Sequence, residues 1–479
     1  MPRRHLQVSG AAEAALRTAL RELRHDLGVP GGFPAAVLDE ARRAARDPRL
    51  PPHDATGIPL FTLDPPGSRD LGQALHLTRR PHGYRVHHAL ADTAAFIDPG
   101  SPLDTEAHHR TATLHFPDTR VPLHPPLIGE GAAALLPGET RPAVLWTIDL
   151  DAEGRTTATD VRRALVRSRA RLDHPTVQHD LDTDTAEEPL ALLAVIGRLR
   201  QQQETGRGGI SLPVPEQHID HDTGGFRLTY RAPTPAETHH AQLSLLTGMA
   251  AADLMLDYGT GVLRTLPAAP DGAVGRLRRT AEALGIDWPH HQPYAEVVRS
   301  LDPHRPHDAA FLQECTTLLR GAGYTVFHGG HRPDPAVHSA VAAPYAHCTA
   351  PLRRLADRYT LELCLAAAAG QGTPQWVLAA LDALPAEMSD GAHREARAEH
   401  ACLDLVEAAL LQGRVGDTFE GTVVDVHEDD PHTGTVQLAQ PAVVARIDGG
   451  PAPLPLGERL RVRLTHADPS PPQVRFTPA

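Results

Sequence analysis

The chain has 479 residues, of which 41% are hydrophobic, and a formal charge of −13. That length allows roughly two to four domains and a sizeable core, and the apolar content excludes a disordered chain. No apolar run reaches the ~18 residues of a membrane-crossing helix, and the acidic balance means that any polyanion site must be a local basic groove.

Residues 11–27 (AAEAALRTALRELRHDL) place Leu16, Leu20 and Leu23 at helical spacing. The basic start before them has no apolar h-region, so no secretory signal is expected. A Gly-Val-Pro-Gly-Gly turn at 28–32 leads to a second helix, Phe33 to Arg46, and then to a Pro-rich linker from Asp47 to His53. A small helical module over 1–50 is expected, of a size that a helix-turn-helix would fit.

A short apolar run, Ile58 to Leu63, reads as a strand that stops at Asp64, where Pro65, Pro66 and Gly67 break regular structure. Asp70 follows, and alternation resumes at Ala74, His76 and Thr78. Two carboxylates on one strand-to-strand loop can converge on a divalent cation, because hard cations take oxygen ligands. Metal-assisted phosphodiester hydrolysis uses that arrangement. A two-metal site wants more carboxylates than two, and the next positions are Gly72 and Gln73.

The pattern stays mostly β from about 55 to 175, with Gly83 to Leu90 alternating and Arg141 to Leu150 strand-like before a turn at Asp151 to Gly154. It turns helical from about 185, with a strand patch at 209–231 and long helices at 236–257, 270–285, 308–321, 349–369 and 392–412. From Gly413 the tail makes five short strands with turn punctuation, the pattern of a small OB-type barrel. Its aromatics are sparse; Phe419 is expected in the core rather than on a stacking platform.

The sequence contains no lysine and no asparagine, so every basic side chain other than histidine is arginine, which suits planar phosphate recognition. The lysine absence excludes a Walker A lysine, a Schiff base and a catalytic lysine. Arginines cluster at 162, 163, 167, 169 and 171, at 276, 278 and 279, and at 353 and 354. Adjacent histidines, as in His87-His88 and His239-His240, point apart on helix or strand and read as structural or solvated. The four cysteines form no CxxC pair, which fits a reducing cytoplasm and no disulfide framework.

Four segments in order, TLDPPGSRDLGQAL at 62–75, HALADTAAFIDPGSPLDTEAHHRTATLHFP at 88–117, YAHCTAPLRRLADRY at 345–359 and ARAEHACLDL at 396–405, resemble the ribonuclease II family. Its catalytic part is the RNB domain, and the resemblance covers roughly 55–479. Behind the helical module read at 1–50 it implies an RNB domain at 55–412 with a β-rich first half and a helical second half, and an OB-fold RNA-binding barrel at 413–479, an α+β multidomain fold overall. It also implies hydrolytic 3′-to-5′ degradation of single-stranded RNA to nucleoside monophosphates, with magnesium, or manganese in its place, as cofactor. A monomer is expected, with no membrane partner and no nucleotide cofactor. Family members usually begin with two cold-shock domains, for which the residues before 55 leave no room.

Carried over position by position, the resemblance makes Asp64 and Asp70 metal ligands, and the family's third and fourth aspartates fall on Gly72 and Gln73. Gly72 offers no ligand, whereas Gln73 is expected to join Asp64 and Asp70 on one metal through its neutral carbonyl oxygen, directly or through a water. Arg353 matches the arginine on the scissile phosphate, with Arg354 beside it as a further RNA contact; Leu355 replaces the usual tyrosine. His115 falls on the tyrosine that stacks on the 3′-terminal base, Glu399 on the glutamate that contacts the terminal ribose, and Asp92 sits in the Ala-Asp motif. Two readings follow. One is an exoribonuclease with a reduced metal loop. The other is an RNA-binding protein of the same fold with little or no nuclease activity.

Overall fold

A computed structural model describes residues 11–479 apart from 213–215, 223–224, 270–271, 303–304, 320, 428 and 439. The N-terminal helices form where the leucine spacing predicts, α1 over Ala11–Asp26 and α2 over Ala35–Arg46. They serve different cores. Leu16 and Leu20 of α1 pack with Leu114, Phe116 and Val406, whereas Val37 and Ala41 of α2 pack with Leu60, Ala74 and Leu145. The two helices are therefore built into the larger body rather than paired as a free-standing helix-turn-helix.

Strands β1 (Leu60–Asp64), β2 (Gln73–Arg80) and β3 (Gly83–Ala91) come next. After α3 (Pro102–Arg110) and the two-residue strands β4 (Leu114–His115) and β5 (Arg120–Val121) come the long strands β6 (Thr140–Asp151) and β7 (Thr156–Asp173). Five of them close a barrel in the order β1-β2-β3-β6-β7, with β1 parallel to β7 and the other pairs antiparallel. Both faces of the barrel strands carry apolar side chains: Phe61, Leu63, Leu75 and Trp146 enter the main core, while Leu60, Ala74 and Leu145 enter the core under α2. This double burial explains why β1 reads as a continuous apolar run.

The helical half comprises α4 (His174–Asp182), α5 (Glu188–Arg207), the hairpin β8–β9 (Glu216–Asp222, Gly225–Arg231) and α6 (Pro235–Tyr258). Then come β10 (Gly261–Thr265), α7 (Ala273–Ala283), α8 (Tyr294–Ser300), α9 (Pro306–Cys315) and β11 (Gly323–Phe327). The short pair β12 (Val337–His338) and β13 (Ala343–Pro344) leads to α10 (Leu355–Ala368), α11 (Gln375–Leu381) and α12 (Leu384–Leu411). The helix expected at 349–369 begins only at Leu355, because Pro351 keeps Ala350 out of the helical region and Asp357 takes the Ala350 N–H at 2.7 Å. The helix expected at 392–412 starts earlier, at Leu384. Part of the strand patch at 209–231 lies outside the described residues.

The tail forms the second closed barrel, β14 (Thr418–His427), β15 (Asp430–Leu438), β16 (Val444–Asp448), β17 (Arg459–Pro469) and β18 (Pro472–Pro478), in the order β14-β15-β16-β18-β17. Phe419 and Phe476 meet edge to face in its core, with ring centroids 5.9 Å apart. Glu407 of α12 joins this barrel to the hairpin, accepting from the Gln217 side chain at 2.6 Å and from Val444 N at 2.9 Å. Burial pushes its carboxyl from 4.5 up to about 7. A carboxyl raised in the folded state stabilises below its unfolded value and loses that contribution as pH rises through the folded one. Glu407→Gln should therefore be more stable than wild type at pH 8, with the difference, at most about 3 kcal/mol, vanishing near pH 4.5. Urea denaturation of both proteins across that range checks it.

Candidate active site

The loop between β1 and β2 is pinned by its backbone. Leu71 is fully buried, its carbonyl accepts from Leu135 N at 2.8 Å, and the Gly72 carbonyl accepts from Ala91 N at 2.9 Å. Gly67, at φ 83°, makes the turn that returns the chain toward Asp70. Asp64, at the end of β1, is buried, and its Oδ2 has no hydrogen-bond partner. Burial raises its carboxyl from 3.8 to about 6; Arg353 opposes that rise and the nearby Asp70 adds to it.

Asp70 divides its two oxygens between two guanidiniums. Oδ1 accepts from Arg120 Nη1 at 2.5 Å, and Oδ2 lies 3.9 Å from Arg353 Nε. Arg353 sits on the turn before α10, its carbonyl accepting from Thr113 N at 2.9 Å, while Leu355 N donates to Thr111 O at 2.9 Å. Thr111 ends α3 at φ 63°, a left-handed conformation that threonine adopts at a cost. Gly391 of α12 lies against it: a Cβ there would run into the Thr111 hydroxyl. Gly391→Ala should thus displace the segment that holds Arg353. An overpacked contact of this kind costs about 1–3 kcal/mol, readable as a lowered melting temperature.

His115 and Glu399 line one cavity of about 570 Å³, walled by the β4–β5 hairpin, by Gln217 to Ile219 of β8 and by α12. Surrounding protein and then Arg353 hold the His115 imidazole toward its neutral form. Burial raises Glu395 in the same cavity, and Glu399 adds to the rise. Helix α1 supports this wall, because Arg24 donates to both Asp118 oxygens, at 2.6 and 3.1 Å, in the turn between β4 and β5.

The fold brings Asp64, Asp70, Arg353 and His115 together, with Glu399 across the cavity, and treats the other expected residues differently. Arg354 turns away from the loop: its fork binds Asp357 at 2.5 and 3.0 Å, so the expected RNA contact is an internal ion pair. Gln73 Oε1 is already engaged by His88 Nε2 at 3.2 Å and Ser244 Oγ at 3.4 Å. Asp92 pairs with Arg163 at 2.7 Å, a structural contact that Glu362 shares. Arg162, Arg163 and Arg169 are likewise engaged by neighbouring carboxylates. The buried histidines are structural, His88 donating or accepting at Thr247 Oγ1 and His174 at His240 Nδ1.

Sequence reasoning missed Arg120. The signal was present, since Phe116-Pro117-Asp118-Thr119 is a tight turn that places Arg120 directly opposite His115 in the hairpin.

Among the described residues no group of three or more His, Cys, Asp or Glu side chains is placed to hold a metal ion. The orphaned Asp64 oxygen and Asp70 nonetheless fit one hard cation, since magnesium is commonly bound through one or two carboxylates plus water and phosphate. They do not fit two.

Comparison with known proteins agrees with this architecture. The RNB domain matches residues 53–368, and the RNase II-type exonuclease C-terminal S1 domain matches residues 417–479. The chain belongs to the RNB-domain family. Ribonuclease R of Escherichia coli is 26% identical over 424 residues, 82% of this chain and 50% of that protein. The chain thus spans about half the length of curated relatives it matches. Mycoplasma genitalium RNase R, solved with ribose-methylated single-stranded RNA, superposes with a TM-score of 0.86 at 20% identity, covering 97% of this chain and 78% of that one. Yeast Ssd1, a pseudonuclease, shares the fold at a TM-score of 0.69 and 15% identity, covering 90% and 55%. No helix among the described residues is long and apolar enough to cross a membrane.

Proposed function

We propose that this protein hydrolyses single-stranded RNA from its 3′ end, releasing nucleoside 5′-monophosphates, with one divalent cation held by Asp64 and Asp70. The observation that carries this reading is the buried, partnerless Asp64 oxygen beside Asp70 and Arg353. A bound cation there would supply Lewis-acid polarisation of the scissile phosphate. Arg353, whose side chain is 42% exposed, is free to offer N–H donors to charge developing on the phosphoryl oxygens. His115 offers a ring face to the terminal base, and Glu399 offers acceptors to the ribose hydroxyls across the same cavity. With Gly72 and Gln73 supplying no charge, the cation should bind more weakly than at a four-aspartate loop, and manganese should serve better than magnesium.

A second reading, RNA retention without cleavage, draws support from Gln73 and Asp70: the one is held by His88 and Ser244, the other by Arg120. One experiment separates them. Single-stranded RNA labelled at its 5′ end, incubated with the protein and magnesium or manganese, should shorten stepwise from the 3′ end. RNA that is bound yet intact at millimolar manganese would leave the second reading.

A further inference from the structure

Arg120 is one of two guanidiniums that the chain places at Asp70. It rises from β5 between two carboxylates, Asp70 Oδ1 at 2.5 Å and Glu130 Oε1, and its side chain is 23% exposed. These bonds use two of the five N–H groups of a guanidinium, leaving three to donate elsewhere. His115 stands opposite it in the hairpin, and Arg353 reaches the other oxygen of the same Asp70 carboxylate. Two guanidiniums thus flank one acid in a loop that lacks two acids at Gly72 and Gln73.

We propose that Arg120 is a phosphate-binding residue that takes the place of a second metal ion, holding Asp70 against a divalent cation while presenting its remaining N–H groups to the RNA phosphate. This rests on the function proposed above and adds to it. A loop with fewer negative charges has less to offer a second dication, and a fixed guanidinium supplies positive charge without needing those ligands. The same contact makes cation and arginine rivals for Asp70, so metal affinity and phosphate affinity move in opposite directions when Arg120 is changed.

The test uses the full chain, with manganese and a single-stranded RNA as separate probes. Arg120→Gln should bind Mn²⁺ about tenfold more tightly by calorimetry, and should bind RNA about tenfold more weakly by fluorescence anisotropy in EDTA, the size of one charge-assisted contact. Arg120→Lys should restore the wild-type Mn²⁺ affinity and part of the RNA affinity. Glu130→Gln keeps the guanidinium and removes a competing acid, so its RNA affinity should hold or rise. It serves as the second variant should Arg120→Gln fold poorly. Unchanged Mn²⁺ and RNA affinities in Arg120→Gln, or weakened RNA binding in Glu130→Gln, would overturn the assignment. RNA bound by the wild type and equally by Arg120→Gln overturns Arg120 alone; a wild type that binds no single-stranded RNA overturns the proposed function as well.

Discussion

Asp64→Asn should lower RNA turnover by at least about 10²-fold while leaving the protein folded and, in EDTA above pH 7, more stable than wild type. The opposite signs come from one carboxylate. Asp64 is buried with an oxygen that no protein group satisfies, and an orphaned buried acceptor costs about 1–3 kcal/mol. Burial raises its carboxyl from 3.8 to about 6. The stability it offers is fully present below its unfolded value and lost as pH climbs through the folded one, up to about 3 kcal/mol by pH 8. Asparagine keeps the shape and removes the charge, so that loss disappears along with the ligand. Melting temperatures of both proteins in EDTA at pH 5 and pH 8, beside a turnover assay with manganese, read the two signs separately. Retained activity in Asp64→Asn would mean that the loop is not where the reaction happens.

What was legible in the sequence follows from how local each signal is. The strand ending at Asp64 and the alternation resuming at Ala74 are separated by Pro65, Pro66 and Gly67, and the structure places β1 and β2 on either side, β2 starting one residue earlier at Gln73. The leucines of α1 and the strands of the terminal barrel also announce themselves by spacing. What local pattern could not carry is which charges meet across the fold. Arg353 and Arg354 are adjacent and read alike, yet Asp357 one helical turn on draws only the second inward. Arg120 reaches Asp70 from 50 residues away. The N-terminal helices read as a module, yet Arg24 binds Asp118 across 94 residues and braces the hairpin that bears His115. Pairing between charges distant in sequence is set by packing of the apolar faces, and periodicity reports only that such faces exist.

Gly72→Asp tests that charge deficit from the opposite direction, as a gain. The position has room: a Cβ at Gly72 would lie 3.6 Å from Leu352 side-chain atoms and 3.8 Å from Asp70 O, ordinary contact distances. Its backbone is not among the left-handed glycines, so a larger residue brings no conformational strain. The Gly72 carbonyl is fixed by Ala91 N, so the new carboxylate would be carried on a rigid backbone two residues beyond Asp70. A third acid should tighten cation binding about tenfold, equivalent to ~1.4 kcal/mol, and raise turnover at saturating manganese by a similar factor. Gln73→Glu is the contrasting variant, because His88 and Ser244 already take that side-chain oxygen and would satisfy a carboxylate in place. Its gain should be the smaller of the two. Turnover in Gly72→Asp that is equal to or below wild type at saturating metal would show that charge at this loop does not limit the reaction.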